Sequence, residues 1–207
     1  MKKYLVEFIG TFFLVFTVGS CVISPGAGSF APLAIGAALM VMVYAGGHVS
    51  GGHYNPAVTV AVWLRGRFEA RDVIPYWIAQ VGAAAVAAWA VHFFKGPTAV
   101  PQLPIGVKAA LLAEFLFTFA LCWVVLNAAT AKGTSGNSFY GLAIGMTVMT
   151  GAFAVGAVSG GAFNPAVATG ITLMGLASWS HYWLYLVGEL AGAAAAATAY
   201  RLVNGND

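Results

Sequence analysis

Charge is what this sequence has least of. Nine Lys/Arg and six Asp/Glu are spread over 207 residues, so 7% of the chain is charged against 60% hydrophobic. A soluble domain carries about 25% charged residues. So few charges cannot cover a water-facing surface, which excludes an ordinary soluble enzyme. The formal charge is +3, yet no basic run interleaved with aromatics occurs, so no nucleic-acid partner is indicated. Cysteine is scarce as well. Cys21 and Cys122 sit in apolar stretches without CxxC spacing, so neither a disulfide framework nor a zinc site is signalled, and both read as core residues. His48, His92 and His181 have no metal-ligand spacing. Nothing resembles a nucleophile–base pair. The chain is therefore read as not an enzyme, with no cofactor and no metal.

Long apolar runs are what the chain has in quantity. A spanning helix needs about 20 predominantly apolar residues. Six runs qualify, roughly 4–24, 31–48, 72–94, 106–130, 139–157 and 180–203. The first, in MKKYLVEFIGTFFLVFTVGS, has the outline of a signal peptide. Glu7 interrupts it, however, and the same pattern recurs mid-chain, so it reads as a retained membrane helix. Two further apolar segments, SGGHYNPAVTVAVWLRGRF and SGGAFNPAVATGITLMG, are too short to cross. Asn55 to Gly66 is twelve residues. That makes about 18 Å of helix against a hydrocarbon core of about 30 Å.

These short segments are copies of each other. Residues 34–60 align with 143–169 at an offset of 109, sharing Ile35-Gly36, Val49-Ser50-Gly51-Gly52 and Asn55-Pro56-Ala57-Val58 among other identities. VEFIGTFFLVF (6–16) likewise resembles AEFLFTFALCW (113–123), pairing Glu7 with Glu114. The chain reads as one domain of two halves, about 1–95 and 105–207, joined by KGPTAVPQLPIG. Three spans per half turn the second copy upside down relative to the first. With both termini in the cytoplasm, Lys2, Lys3, Arg65, Arg67, Arg71, Lys132 and Arg201 fall inside and only Lys95 and Lys108 outside, as the positive-inside rule requires. An inverted repeat with a Gly/Pro-interrupted short segment in each half points to a site near the bilayer midplane.

Non-helical backbone at that depth survives only when buried in protein or lining a wet cavity. Ser-Gly-Gly supplies permissive backbone. Asn then stands at the helix N-cap and Pro at the first helical position. One such tripeptide is an ordinary helix start, but two at matching places in an inverted repeat are not. If the short helices enter from opposite faces, their N-termini meet mid-membrane, each carrying about +0.5 charge. That centre repels cations and breaks a proton-carrying water chain. Asn55 and Asn164 offer side-chain N–H groups. The carbonyls of Gly51, Gly52, His53 and Tyr54, and of Gly160, Gly161, Ala162 and Phe163, offer a ladder of acceptors. Polar stations on one wall and apolar residues on the other suit small neutral molecules.

At this point the chain resembles the aquaporin, or major intrinsic protein, family. The paired Asn-Pro-Ala motifs (Asn55, Pro56, Ala57; Asn164, Pro165, Ala166), the stretch GHVSGGHYNPAVT, Glu7 and Glu114, and the six-plus-two layout all match. The resemblance covers almost the whole chain. It implies an all-α membrane protein, a right-handed bundle of six spanning helices plus two re-entrant half-helices. It also implies a homotetramer with one pore per subunit in the lipid bilayer of the cell membrane. Glu7 and Glu114 are then structural, accepting hydrogen bonds from the loops, which fits the need to pair a carboxylate in a membrane. Glu189, in LVGELAG, finds no partner in the repeat and receives no role. His53 is implied to be structural, near the cytoplasmic mouth.

The family's narrow filter departs from its usual form here. Matching its four positions gives Ile35, Ala152, Gly161 and Val167, with Gly151 as the neighbour that an error of one would select. The usual water-selective filter holds an aromatic, a His and an Arg. All four residues here are apolar and two are very small. The expectation is a wide, weakly polar pore passing water and glycerol, urea, ammonia, hydrogen peroxide or neutral metalloid acids such as arsenous acid. Tyr44, Phe153, Phe163 and His48 are the side chains able to refill it, which would leave a strictly water-selective pore. An ion-coupled transporter is the alternative by class, with Glu189 as its one unexplained acid.

Overall fold

The computed structural model describes residues 1–96, 100–205 and 207, so the linker KGPTAVPQLPIG is described except at 97–99. Among the described residues all regular structure is helical. The long helices are α1 (Lys2–Val22), α2 (Ala31–Ser50), α4 (Ala70–Lys95), α5 (Val107–Val125), α6 (Tyr140–Ser159) and α8 (Tyr182–Asn204). The short ones are α3 (Pro56–Leu64) and α7 (Pro165–Leu173). A π turn at Leu126–Thr130 extends α5, and 3₁₀ turns at Gly28–Phe30 and Trp179–His181 lead into α2 and α8. With those turns, six helices among the described residues are long and apolar enough to span, at positions within a few residues of the expected runs. α3 and α7 have nine residues each, about 14 Å. They stop short of Gly66 and Gly175, which take positive φ values of 87° and 79°.

The two halves pack alike. In the first, α1 lies against α2 and α4; in the second, α5 lies against α6 and α8. α2 and α6 join the halves. Each short helix also leans on the last long helix of the opposite half, α3 on α8 and α7 on α4. Arg65, which ends α3, fixes the first of these contacts. Its Nε donates to Thr130 Oγ1 at 2.9 Å and its Nη2 to the Tyr200 hydroxyl at 2.9 Å.

Lipid tails are as apolar as leucine, so burial alone does not drive spanning helices together. Close backbone approach does, and it needs small residues. The α2–α6 contact shows this. A Cβ on Gly36 would stand 2.7 Å from the Gly145 carbonyl oxygen and 2.6 Å from Met149 Cβ. A Cβ on Gly145, its repeat counterpart, would collide with the Gly36 carbonyl. Between α5 and α8, Gly192 plays the same part, since its Cβ would meet the Phe115 carbonyl oxygen at 2.6 Å.

This contact is testable by single methyl groups. Gly36→Ala overpacks a backbone crossing and is expected to cost about 1–3 kcal/mol. Gly82→Ala, on α4, meets nothing within 4 Å and is expected to be neutral or to stabilise by up to about 1 kcal/mol through helix propensity. Melting temperatures of the two purified variants in one detergent check the difference.

Candidate functional site

The residues after α2 and α6 build two loops of the same shape. Gly51 and Gly160 leave the helices at φ 90° and 94°, and Gly52 and Gly161 follow at φ 63° and 64°. The next two residues lead to Tyr54 and Phe163, which hold φ 47° and 49° without being glycine. A left-handed conformation costs an L-residue roughly 1–2 kcal/mol, so the surroundings must enforce it.

Buried carboxylates enforce it. Glu7 Oε1 accepts from Ser50 Oγ at 2.7 Å and from the His53 N–H at 3.0 Å. Glu7 Oε2 accepts from the Tyr54 N–H at 2.7 Å and from Gln80 Nε2 at 2.8 Å. In the second loop, Glu114 Oε1 accepts from Ser159 Oγ at 2.6 Å and the Ala162 N–H at 3.1 Å, and its Oε2 from the Phe163 N–H at 2.7 Å. Both glutamates are fully buried. Two tyrosines hold the carbonyls where the loops begin. Tyr76 donates to the Ser50 carbonyl at 2.7 Å and Tyr185 to the Ser159 carbonyl at 2.6 Å.

The asparagines tie the loops to each other. Asn55 Oδ1 accepts from the Ala57 N–H at 2.8 Å, and Asn164 Oδ1 from the Ala166 N–H at 2.9 Å, so each caps its own helix. Pro56 and Pro165 occupy the first helical positions. Asn55 Nδ2 donates to the Phe163 carbonyl at 2.8 Å, and Asn164 Nδ2 to the Tyr54 carbonyl at 2.9 Å. A carboxamide nitrogen has two N–H groups, so one on each Asn remains beyond this cross-link. The carbonyls of Tyr54 and Phe163 serve the cross-link.

Between the loops runs a narrow cavity of about 50 Å³. Asn55, Asn164, Ile35, Ala152, Gly161 and Val167 share its wall. Gly160, Ala162 and His53 belong to it too, among apolar side chains such as Leu14, Val18 and Leu121. A Cβ on Gly151 would instead meet the rings of Phe163 and Phe117, so Ala152 is the residue that faces the cavity. Wider mouths of about 630 and 500 Å³ lie at the two ends. Gly51, His53, Arg67 and Lys132 line the larger. His53 is buried, with Nδ1 3.1 Å from Thr59 Oγ1 and its ring against Phe68. None of the four refilling side chains lines the narrow cavity. Phe153 is exposed, Tyr44 bonds to the Ser138 carbonyl and Leu142 N–H, Phe163 packs on Phe117, and His48 lines the larger mouth.

A family model, Major intrinsic protein, matches residues 1–200. The chain belongs to the major intrinsic protein family. It is a membrane channel and not an enzyme. This family member is 40% identical over 212 residues to "Aquaporin NIP1-4" of Oryza sativa subsp. japonica, covering 98% of this chain and 77% of that protein. It is 38% identical to "Glycerol uptake facilitator protein-like 6" of Lactiplantibacillus plantarum over the full length of both. Its fold matches the X-ray structure of the aquaglyceroporin from Plasmodium falciparum with a TM-score of 0.83 at 21% identity, covering 98% and 96% of the two chains.

Sequence reasoning missed Gln80, Tyr76 and Tyr185, and it gave Glu189 no structural role. Glu189 does have a counterpart in the repeat, which corrects the expectation above. The offset of 109 that relates Asn55 to Asn164 also relates Tyr76 to Tyr185 and Gln80 to Glu189. Glu189 Oε1 accepts from the Asn164 N–H at 3.0 Å. Carrying the alignment past residue 60 finds all four.

Removing a Glu7 oxygen leaves loop donors unpaired, at about 1–3 kcal/mol each. Glu7→Gln keeps the size but turns an amide nitrogen toward N–H groups. Glu7→Ala and Glu7→Gln are both expected to lose most folded channel, measured as monodisperse protein on size exclusion and as water permeability in proteoliposomes.

Proposed function

We propose that this channel is a passive pore for water and for small uncharged solutes: glycerol, urea, ammonia, hydrogen peroxide, or neutral metalloid acids such as arsenous acid. One observation carries the reading. Ile35, Ala152, Gly161 and Val167 share the wall of the narrow cavity, and not one has a polar side chain. An arginine at position 167 would add a fixed charge and five N–H donors. Valine adds neither. Water and a solute hydroxyl then meet the same apolar surface and the same loop carbonyls of Gly160, Gly161 and Ala162. The full-length similarity to a protein named as a glycerol uptake facilitator supports a solute wider than water.

Ions and protons are excluded at the paired asparagines. α3 and α7 both begin at the cavity, so two positive helix ends converge there. The working form is a homotetramer in the cell membrane with a pore in each subunit and both termini in the cytoplasm. Arg67 and Lys132 on one mouth support that orientation.

Stopped-flow light scattering on proteoliposomes tests the filter. Wild type is expected to pass glycerol, urea or arsenous acid besides water. Val167→Arg is expected to lower solute flux by a larger factor than water flux. A wild-type channel that passes water and none of these solutes overturns the reading in favour of strict water selectivity.

A further inference from the structure

The two loop clamps differ by one donor. In the first half, Glu7 Oε2 accepts from both the Tyr54 N–H and Gln80 Nε2. In the second half, the one N–H that Glu114 Oε2 accepts from, among the described residues, is that of Phe163. The residue at the place of Gln80 is Glu189, a carboxyl where the first half has a carboxamide.

The idle atoms are complementary. Gln80 uses its nitrogen and leaves Oε1 without a donor; Glu189 uses Oε1, on the Asn164 N–H, and no N–H or hydroxyl among the described residues reaches its Oε2. Glu189 is fully buried. Its helix neighbour Gly188 packs on Glu114, where a Cβ would stand 3.2 Å from Glu114 Cβ, and the two carboxyls are within hydrogen-bonding reach of each other. No ion pair joins either carboxyl to a Lys, Arg or His among the described residues. Cys122 and Tyr185 are the other titratable neighbours of Glu189, and neither supplies a positive charge. Two like charges held together in a dry interior without a counter-charge cannot both persist. A carboxylic acid, unlike a carboxylate, has an O–H to donate.

We propose that Glu189 is a positioning residue of the pore that works as a neutral carboxylic acid: one proton is held between Glu189 and Glu114, donated from Oε2 of Glu189 to Glu114, while Oε1 holds the Asn164 N–H. In this form Glu189 does both jobs a glutamine would do. It supplies the donor that Glu114 lacks, and it fixes the backbone of the residue whose side chain reaches across to Tyr54. Keeping the pair at a single negative charge also keeps a second anion away from the centre that repels cations. Neither Glu114 nor Glu189 lines the narrow cavity, so this proton is part of the scaffold and not of the conducted chain.

Infrared spectroscopy and a conservative variant together test this. The wild-type-minus-Glu189→Gln difference spectrum of reconstituted channel at neutral pH is expected to show the carbonyl band of a protonated carboxylic acid. Glu189→Gln is expected to keep wild-type water permeability and cation exclusion. Glu189→Leu strands the Asn164 N–H and is expected to reduce folded channel about tenfold. The absence of the acid band overturns the proposal, whatever the variants do. So does a Glu189→Gln channel that fails to fold or loses water flux as far as Glu189→Leu, because the isostere of a neutral acid cannot fail where a neutral acid succeeds. The first result needs only the wild type and the glutamine variant.

Discussion

The fold rests on hydrogen bonds that two carboxylates accept in the middle of an apolar protein. A loop at membrane depth exposes N–H groups that no water reaches, and each one left alone is costly. Glu7 and Glu114 gather these donors in pairs, with Ser50 and Ser159 filling the remaining angles. That fixed pattern holds Tyr54 and Phe163 in a backbone shape neither would choose. It also aims both short helices at one point, so where their positive ends meet follows from where the carboxylates stand.

The two halves solve the same problem with different side chains. Tyr54 in the first loop fills the space left by Gly10 and Gly46, and its hydroxyl donates to the Met42 carbonyl at 2.9 Å. In the second, Phe163 leans on Phe117 and Gly151. Arg65 ties the end of α3 to α5 and α8, whereas the matching Met174 is buried and packs beneath Gly19. The backbone is the shared quantity, and the side chains around it adjust.

Apolar run length made the six spanning helices legible in the sequence, and the doubled Asn-Pro-Ala made the short pair legible. Run length says nothing of where α3 ends; Gly66 and its left-handed backbone decide that. Ile35, Ala152, Gly161 and Val167, matched to the family's positions by counting from the asparagines, come together on one cavity wall because the two loops repeat the same backbone course. Gln80, Tyr76 and Tyr185 were not placed, and Glu189 was given no structural role, since each meets its partner across 21 or more residues and sits within an apolar spanning run. Hydrophobic pattern reports which solvent a segment suits. A polar atom's partner is a property of the assembled bundle.

The crossed asparagines carry a consequence for how the chain is made. Asn55 reaches the Phe163 carbonyl, and Asn164 the Tyr54 carbonyl. As the chain leaves the ribosome, the first loop is synthesised long before the residue that completes it exists. Until the second half enters the bilayer, the first short helix has no mate for its side-chain amide and no α8 to lean on. The cross-link at the midplane therefore forms only after the second loop has been made.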